Sequence, residues 1–257
     1  MKTLLFSAAC LIGLTFSASA QNTAPNCEGL PSTNGLRNAL ITAVEFNNGG
    51  LGNNMWATVV NRVGEVCLVV NSTEGGLNRV WLGSRVISAQ KANTGNSFSL
   101  PKGSRGTVIA LSSANLYAAV QPGGSLFGLQ ESNPVDPGAA YAGNPGSFGA
   151  GARDPMVGQK IGGINVFGGG LALYDSAGVR VGGLGVSGDT SCADHFVAWR
   201  VRHRVNLDFV PGGVSPENDD NMIQDIGPDG QSASGFGHPT CLNNRDPAVL
   251  PGVRRPS

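Results

Sequence analysis

Between Gly35 and Phe46 the apolar residues Leu36, Leu40, Ile41 and Val44 recur at helical spacing behind two capping candidates, Ser32 and Thr33, and Asn47-Asn48-Gly49-Gly50 stops the pattern. This predicts a first helix. Two β-rich runs follow, Trp56 to Val60 and Val66 to Val70, separated by Asn61-Arg62-Val63-Gly64, which predicts a hairpin. A second helix is expected over roughly Leu77 to Thr94. On its wheel Val80, Ser84, Ile87 and Lys91 share one stripe, so Lys91 should point the same way as the core residues. Leu171 to Tyr174 and Val179 to Val186 flank the turn Asp175-Ser176-Ala177-Gly178 and predict a second hairpin. A third helix is expected from Asp189 as N-cap to about Leu207.

That last helix has two apolar stripes. Ala193, Val197, Val201 and Val205 form one, and Phe196, Trp199, His203 and Leu207 form the other, with Arg200 beside it. Two such faces require two covers. One is the sheet, and the other is expected to be a second subunit, the glycine-rich insertion or a flat apolar ligand. His195 and Arg202 fall together on the remaining face, read as solvated. Asp194 falls on the core side, where an unpaired carboxylate is costly, so it should have a cationic or backbone partner.

Between residues 121 and 170 the periodicity disappears and 14 glycines accumulate, which marks a long irregular insertion. Residues 213–257 are rich in Pro, Asn, Asp and Gly and read as a tail laid over the core. The 17 basic and 17 acidic side chains cancel, which removes a charge argument for nucleic acid. Hydrophobic residues make up 40% and charged residues 13%, too apolar a mixture for global disorder.

Residues 1–20 combine Lys2, an apolar run from Leu4 to Phe16 and the small-residue end Ser17-Ala18-Ser19-Ala20, which predicts a signal peptide cleaved before Gln21 and a periplasmic or secreted protein. The run is too short for a membrane span. Cleavage would remove Cys10 and leave Cys27, Cys67, Cys192 and Cys241, an even set without a Cys-x-x-Cys pair, as expected for two disulfides in an oxidising compartment. Three pairings are open by count. Cys192 is expected to pair with Cys241, which would tie the tail to the start of the last helix, and Cys27 with Cys67.

Gly183-Leu184-Gly185-Val186-Ser187-Gly188 fits the G-x-G-x-x-G pattern of dinucleotide-binding folds, with Asp208 twenty residues further on. The context opposes that reading: the preceding strand is the second arm of a hairpin, and no second parallel strand follows the helix. A tight strand-to-helix turn that needs glycine accounts for the motif. The turn at Ser187-Gly188-Asp189 could hold an anionic group on free amides at a helix N-terminus.

The order helix, hairpin, helix, hairpin, helix, with Ala89-Gln90-Lys91-Ala92-Asn93-Thr94 in the second helix and Gly170-Leu171-Ala172-Leu173-Tyr174-Asp175 leading through Val181 to Gly188 toward Asp194, resembles the GlcG/HbpS haem-binding family. The resemblance implies an α/β (α+β) fold with a profilin-like antiparallel sheet of about five strands flanked by helices, over residues 21–212, and a homo-oligomer. It also implies haem, or a similar flat anionic ligand, as the cofactor. The ligand is expected against Phe196 and Trp199, with His203 as axial metal ligand because it lies on an apolar face, and with His238 as the alternative. Lys91 or Arg200 would pair with a carboxylate, and Ser187, Gly188 and Asp194 would complete the site. Three classes of function follow: an exported haem-binding protein, an enzyme acting on haem or another small molecule, and a structural or sensory module. No triad, metal cluster or close carboxylate pair is readable for the second.

Overall fold

The computed structural model describes residues 26–73, 76–102, 106 and 108–257, so the segment expected to be a signal peptide, with Cys10, lies outside the described residues. Its elements are α1 (Thr33–Val44), β1 (Trp56–Asn61), β2 (Val66–Asn71), α2 (Ser84–Phe98), a one-turn α3 (Pro137–Ala140), β3 (Ala150–Gly151), β4 (Gly170–Tyr174), β5 (Arg180–Ser187) and α4 (Ser191–Arg204). The strands form one antiparallel five-stranded sheet in the order β3-β2-β1-β5-β4. The α+β class and the profilin-like layout expected from the sequence are those observed. No described helix is long and apolar enough to cross a membrane.

Alternation along the strands, interrupted on β2 by a bulge at Cys67, sorts their side chains between the two faces of the sheet. Ala57, Val59, Leu68, Val70, Leu171, Leu173, Leu184 and Val186 face α1 and α4, while Trp56, Val60, Val66 and Val69 face α2 and the insertion. On β5 the residues that alternate with Leu184 and Val186 and face α2, Gly183 and Gly185, are glycines. A Cβ on Gly185 would stand 1.9 Å from the Ser88 carbonyl oxygen, and one on Gly183 would stand 2.3 Å from that of Ala92. The G-x-G-x-x-G motif is therefore a groove that lets a helix lie directly on strand backbone. From the helix side, Gly95 also approaches the Leu171 backbone closely, with 2.7 Å left for a Cβ.

The helix ends differ from the sequence expectation for identifiable reasons. Ser32 does cap α1, its hydroxyl accepting from Gly35 N. Leu77–Arg79 form only a 3₁₀ turn, Val80 is extended, and α2 begins at Ser84, so Val80 is not part of the helical stripe. Thr190, not Asp189, caps α4. The Asp189 carboxylate is engaged elsewhere, accepting from Leu51 N at 2.8 Å and Asn53 N at 2.9 Å.

Two readings of α4 are corrected. His195 and Arg202 are not solvated: both are 0% exposed. The tail crosses this face and supplies their partners. Asp220 accepts two bonds from Arg202, at 2.7 and 2.8 Å, and Asn221 Oδ1 lies 3.2 Å from His195 Nε2. The Phe196–Trp199 part of the second apolar stripe is covered by α1 and the end of the tail, and His203 stays partly exposed. Leu36, Leu40 and Leu250 share a core with Phe196 and Trp199, and the indole N–H donates to the Pro251 carbonyl at 2.7 Å. The stripe thus supplies no ground for a second subunit.

The insertion packs on the opposite side. Ala140, Met156 and Ile161 join the core beneath α2, and Asp154 pairs with the buried Arg85. Both expected disulfides are present, Cys27–Cys67 and Cys192–Cys241.

Candidate functional site

Lys91 sits on the sheet-facing side of α2, where the glycine groove brings the helix down onto β4 and β5, and only 2% of it is exposed. An ammonium at that depth needs an anion, and the first turn of α4 provides it. Lys91 Nζ donates to Asp194 Oδ2 at 2.7 Å, and Asp194 Oδ1 accepts from Asp189 N at 2.9 Å. The partner demanded by the buried carboxylate is therefore both cationic and backbone. Burial pushes the Asp194 carboxyl up to about 6, with the Lys91 charge and hydrogen bond pulling the other way.

This pair forms one end of a cleft of about 290 Å³, near the lower limit of small-molecule sites. Trp81, Ile87 and Phe167 give it apolar walls, and Ser187, Asp189 and Ser191 line it on the side of the α4 N-terminus. Trp81 and Phe167 remain 59% and 43% exposed, so flat aromatic surface is available to a ligand. The turn bearing Phe167 is held by Ser113, whose hydroxyl donates to the Phe167 carbonyl at 2.5 Å and accepts from Gly170 N at 2.8 Å. A Cβ on Gly169 would meet Val186 O at 2.4 Å, so glycine is what allows this turn to close over the ion pair.

Behind that wall is His238, fully buried, its ring against Tyr117 and Phe167 at centroid distances of 5.4 and 6.4 Å. Nδ1 donates to the Pro239 carbonyl at 2.7 Å, and Nε2 accepts from Gly168 N at 3.4 Å. Burial lowers its pKa to about 4 and that of His195 to about 3, so both rings are neutral at pH 7.

Such a combination of a helix laid on a glycine-lined strand and a lysine–aspartate pair across the helix–sheet junction invites comparison with known families. The family model described as "Haem degrading protein HbpS-like" matches residues 36–201. The chain belongs to the HbpS-like family. No sequence among the curated proteins matches it. Among solved structures, a PduOC–heme complex is 20% identical, the alignment covering 68% of this HbpS-like chain and 91% of the other at a TM-score of 0.45. Klebsiella pneumoniae ORFY is 23% identical over 68% and 90%, with a TM-score of 0.42. HbpS itself is 17% identical over 76% and 97%, with a TM-score of 0.40.

The structure brings Lys91, Asp194 and Ser187 together, with Gly188 next in the chain. It does not bring the aromatic stripe of α4 to them. Phe196 and Trp199 are packed against α1 and the tail. Arg200 donates to Asn48 Oδ1 at 3.2 Å and lies over the Phe46 ring. His203 Nδ1 is 2.8 Å from Asp208, whose other oxygen holds Arg254. No histidine is among the described residues lining the cleft. Sequence reasoning missed Trp81, Ile87 and Phe167 as walls. Phe167 was findable as the single aromatic before Gly168-Gly169-Gly170, whereas Trp81 lay inside what read as a regular helix.

Proposed function

We propose that this HbpS-like chain is an exported protein that binds haem, or a flat ligand carrying carboxylates, in the cleft between Trp81 and Phe167. The observation that carries the reading is the coincidence in one cleft of two half-exposed aromatic side chains and a buried lysine. Trp81, Ile87 and Phe167 suit a planar apolar body. Lys91 suits an acidic edge, since Asp194 is its hydrogen-bond partner and an ammonium carries three donors. Haem, when bound, supplies a redox-active iron. The residues named here bind and orient it, and the insertion turn shields one side from water. Two disulfides agree with an oxidising compartment.

The test is titration of the purified mature protein with haemin, followed by the Soret band. A saturable shift is expected that is weakened at least about tenfold by Trp81→Ala or Phe167→Ala, a loss of stacking of about 1.4 kcal/mol. His203→Ala is expected to leave the band and the affinity unchanged. Binding lost in His203→Ala and intact in Trp81→Ala would move the ligand to the α4 stripe and overturn the cleft. A protein that leaves the Soret band of free haemin unaltered would overturn haem binding altogether.

A further inference from the structure

The Cys192–Cys241 disulfide lies at the start of α4 beside a buried imidazole. Both sulfur atoms and a ring nitrogen of His238 fall within 4.8 Å of one another, and among the described residues no other group of histidine, cysteine and acidic donors converges so closely. Cys192 and His238 are buried, with exposures of 3% and 0%. We propose that reduction of this disulfide converts it into a binding site for Zn²⁺, with Cys192, Cys241 and His238 as ligands.

The chemistry balances with a dithiol as reductant. Its two sulfurs join in a new disulfide, the Cys192–Cys241 bond breaks, and each cysteine sulfur takes one electron and one proton. Binding of the ion then displaces both protons to solvent. Two thiolates, one neutral imidazole and a divalent ion sum to zero charge, which is the condition for holding an ion away from water at low cost. A monovalent ion would leave a net negative charge there.

The geometry also fits. Zinc–sulfur bonds of about 2.3 Å in a tetrahedron place two sulfurs about 3.8 Å apart, a separation that thiols released from a disulfide approach by side-chain rotation alone. Both sulfurs face the Pro239 carbonyl, at 3.6 and 4.0 Å, which favours the thiols, and three donors on the other sides favour the thiolates once an ion is bound. Cys192 N donates to Cys241 Sγ at 3.2 Å, the Ser191 hydroxyl lies 3.4 Å from the same sulfur, and Gln224 Nε2 is 3.6 Å from Cys192 Sγ. The bond from His238 Nδ1 to the Pro239 carbonyl leaves the lone pair on Nε2, as in histidine ligands oriented by a backbone carbonyl.

The test uses the whole mature protein, reduced with a water-soluble phosphine and titrated with Co²⁺ and then Zn²⁺. Thiolate-to-cobalt charge-transfer bands should rise to one equivalent and be abolished by Zn²⁺, and the oxidised protein should show none. His238→Ala should weaken binding at least about tenfold, while Cys27→Ser/Cys67→Ser should bind as the wild type does. In the wild-type chain, Zn²⁺ should slow alkylation of Cys192 and Cys241 and leave Cys27 and Cys67 reactive, a readout that needs no variant to fold. Absence of the bands in reduced protein, protection of Cys27 and Cys67 instead, or unchanged affinity in a folded His238→Ala variant would each overturn the proposal.

Discussion

Lys91→Met should expose the energetics of the buried pair through its pH dependence. The variant keeps the length and apolar stem of Lys91 and removes the charge that faces Asp194 at 2.7 Å. With its cation gone, the Asp194 carboxyl rises further above its present value of about 6 and stays protonated in the native state. In the unfolded chain it ionises near 3.9 in both proteins. Between the two native values the variant binds one more proton than the wild type, so its stability deficit must grow with pH. Taking the variant's carboxyl as neutral throughout, the deficit from this source is negligible at pH 5, about 1 kcal/mol at pH 7 and about 3 kcal/mol at pH 8. Loss of the buried ammonium adds a pH-independent offset, so the slope is the diagnostic quantity. Urea unfolding at pH 5, 6, 7 and 8 followed by circular dichroism measures it, with the double variant Lys91→Met/Asp194→Asn as control. A deficit that stays constant from pH 5 to pH 8, or a slope that survives in the double variant, would refute the assignment of the proton to Asp194.

Gly185→Ala should cost more than about 3 kcal/mol in the same unfolding assay, because the new methyl must displace the Ser88 carbonyl and with it α2; a loss under 1 kcal/mol would show that the helix can lift freely. The two buried neutral histidines work against acid. His195 and His238 titrate at about 3 and about 4 when folded and near 6.5 when unfolded, so their contribution is complete above pH 6.5 and declines by up to about 1.4 kcal/mol per pH unit for each below it. That decline outweighs the opposite slope of Asp194 between pH 6 and pH 4, and His195→Gln should flatten the measured curve. Replacing Cys192 and Cys241 by serine should cost about 4 kcal/mol in the chain-entropy account, read as a lower melting temperature together with protease cleavage in the tail that the wild type resists.

Much of the architecture was legible because it depends on local chemistry. Leu36, Leu40 and Val44 at helical spacing behind Ser32, the alternating strands, and the Asp175–Gly178 turn each specify an element without reference to the rest of the chain. The even cysteine set called for two disulfides without fixing their pairing, and the refusal to read G-x-G-x-x-G as a nucleotide fingerprint rested on the hairpin that contains it. The demand that Asp194 find a cation follows from the cost of a buried carboxylate alone.

What only the tertiary structure decided is which partner answers each demand. A helical wheel shows that α4 has two apolar faces, but not that α1 and Leu250 cover the second one. It assigns His195 and Arg202 to a polar face, and that face is polar, yet Asp220 and Asn221 arrive from about twenty residues further along the chain and bury it. Polar patterning reports a need for hydrogen-bond partners, which water and a carboxylate satisfy equally well until the chain folds back. The cleft is a product of the same long-range closure: Trp81 and Lys91 come from one segment, Phe167 and Asp194 lie more than seventy residues further along the chain, and no periodicity links the two pairs. They meet because glycines on β4 and β5 let α2 descend to the sheet, a contact set by the absence of side chains, which hydrophobic patterning does not register.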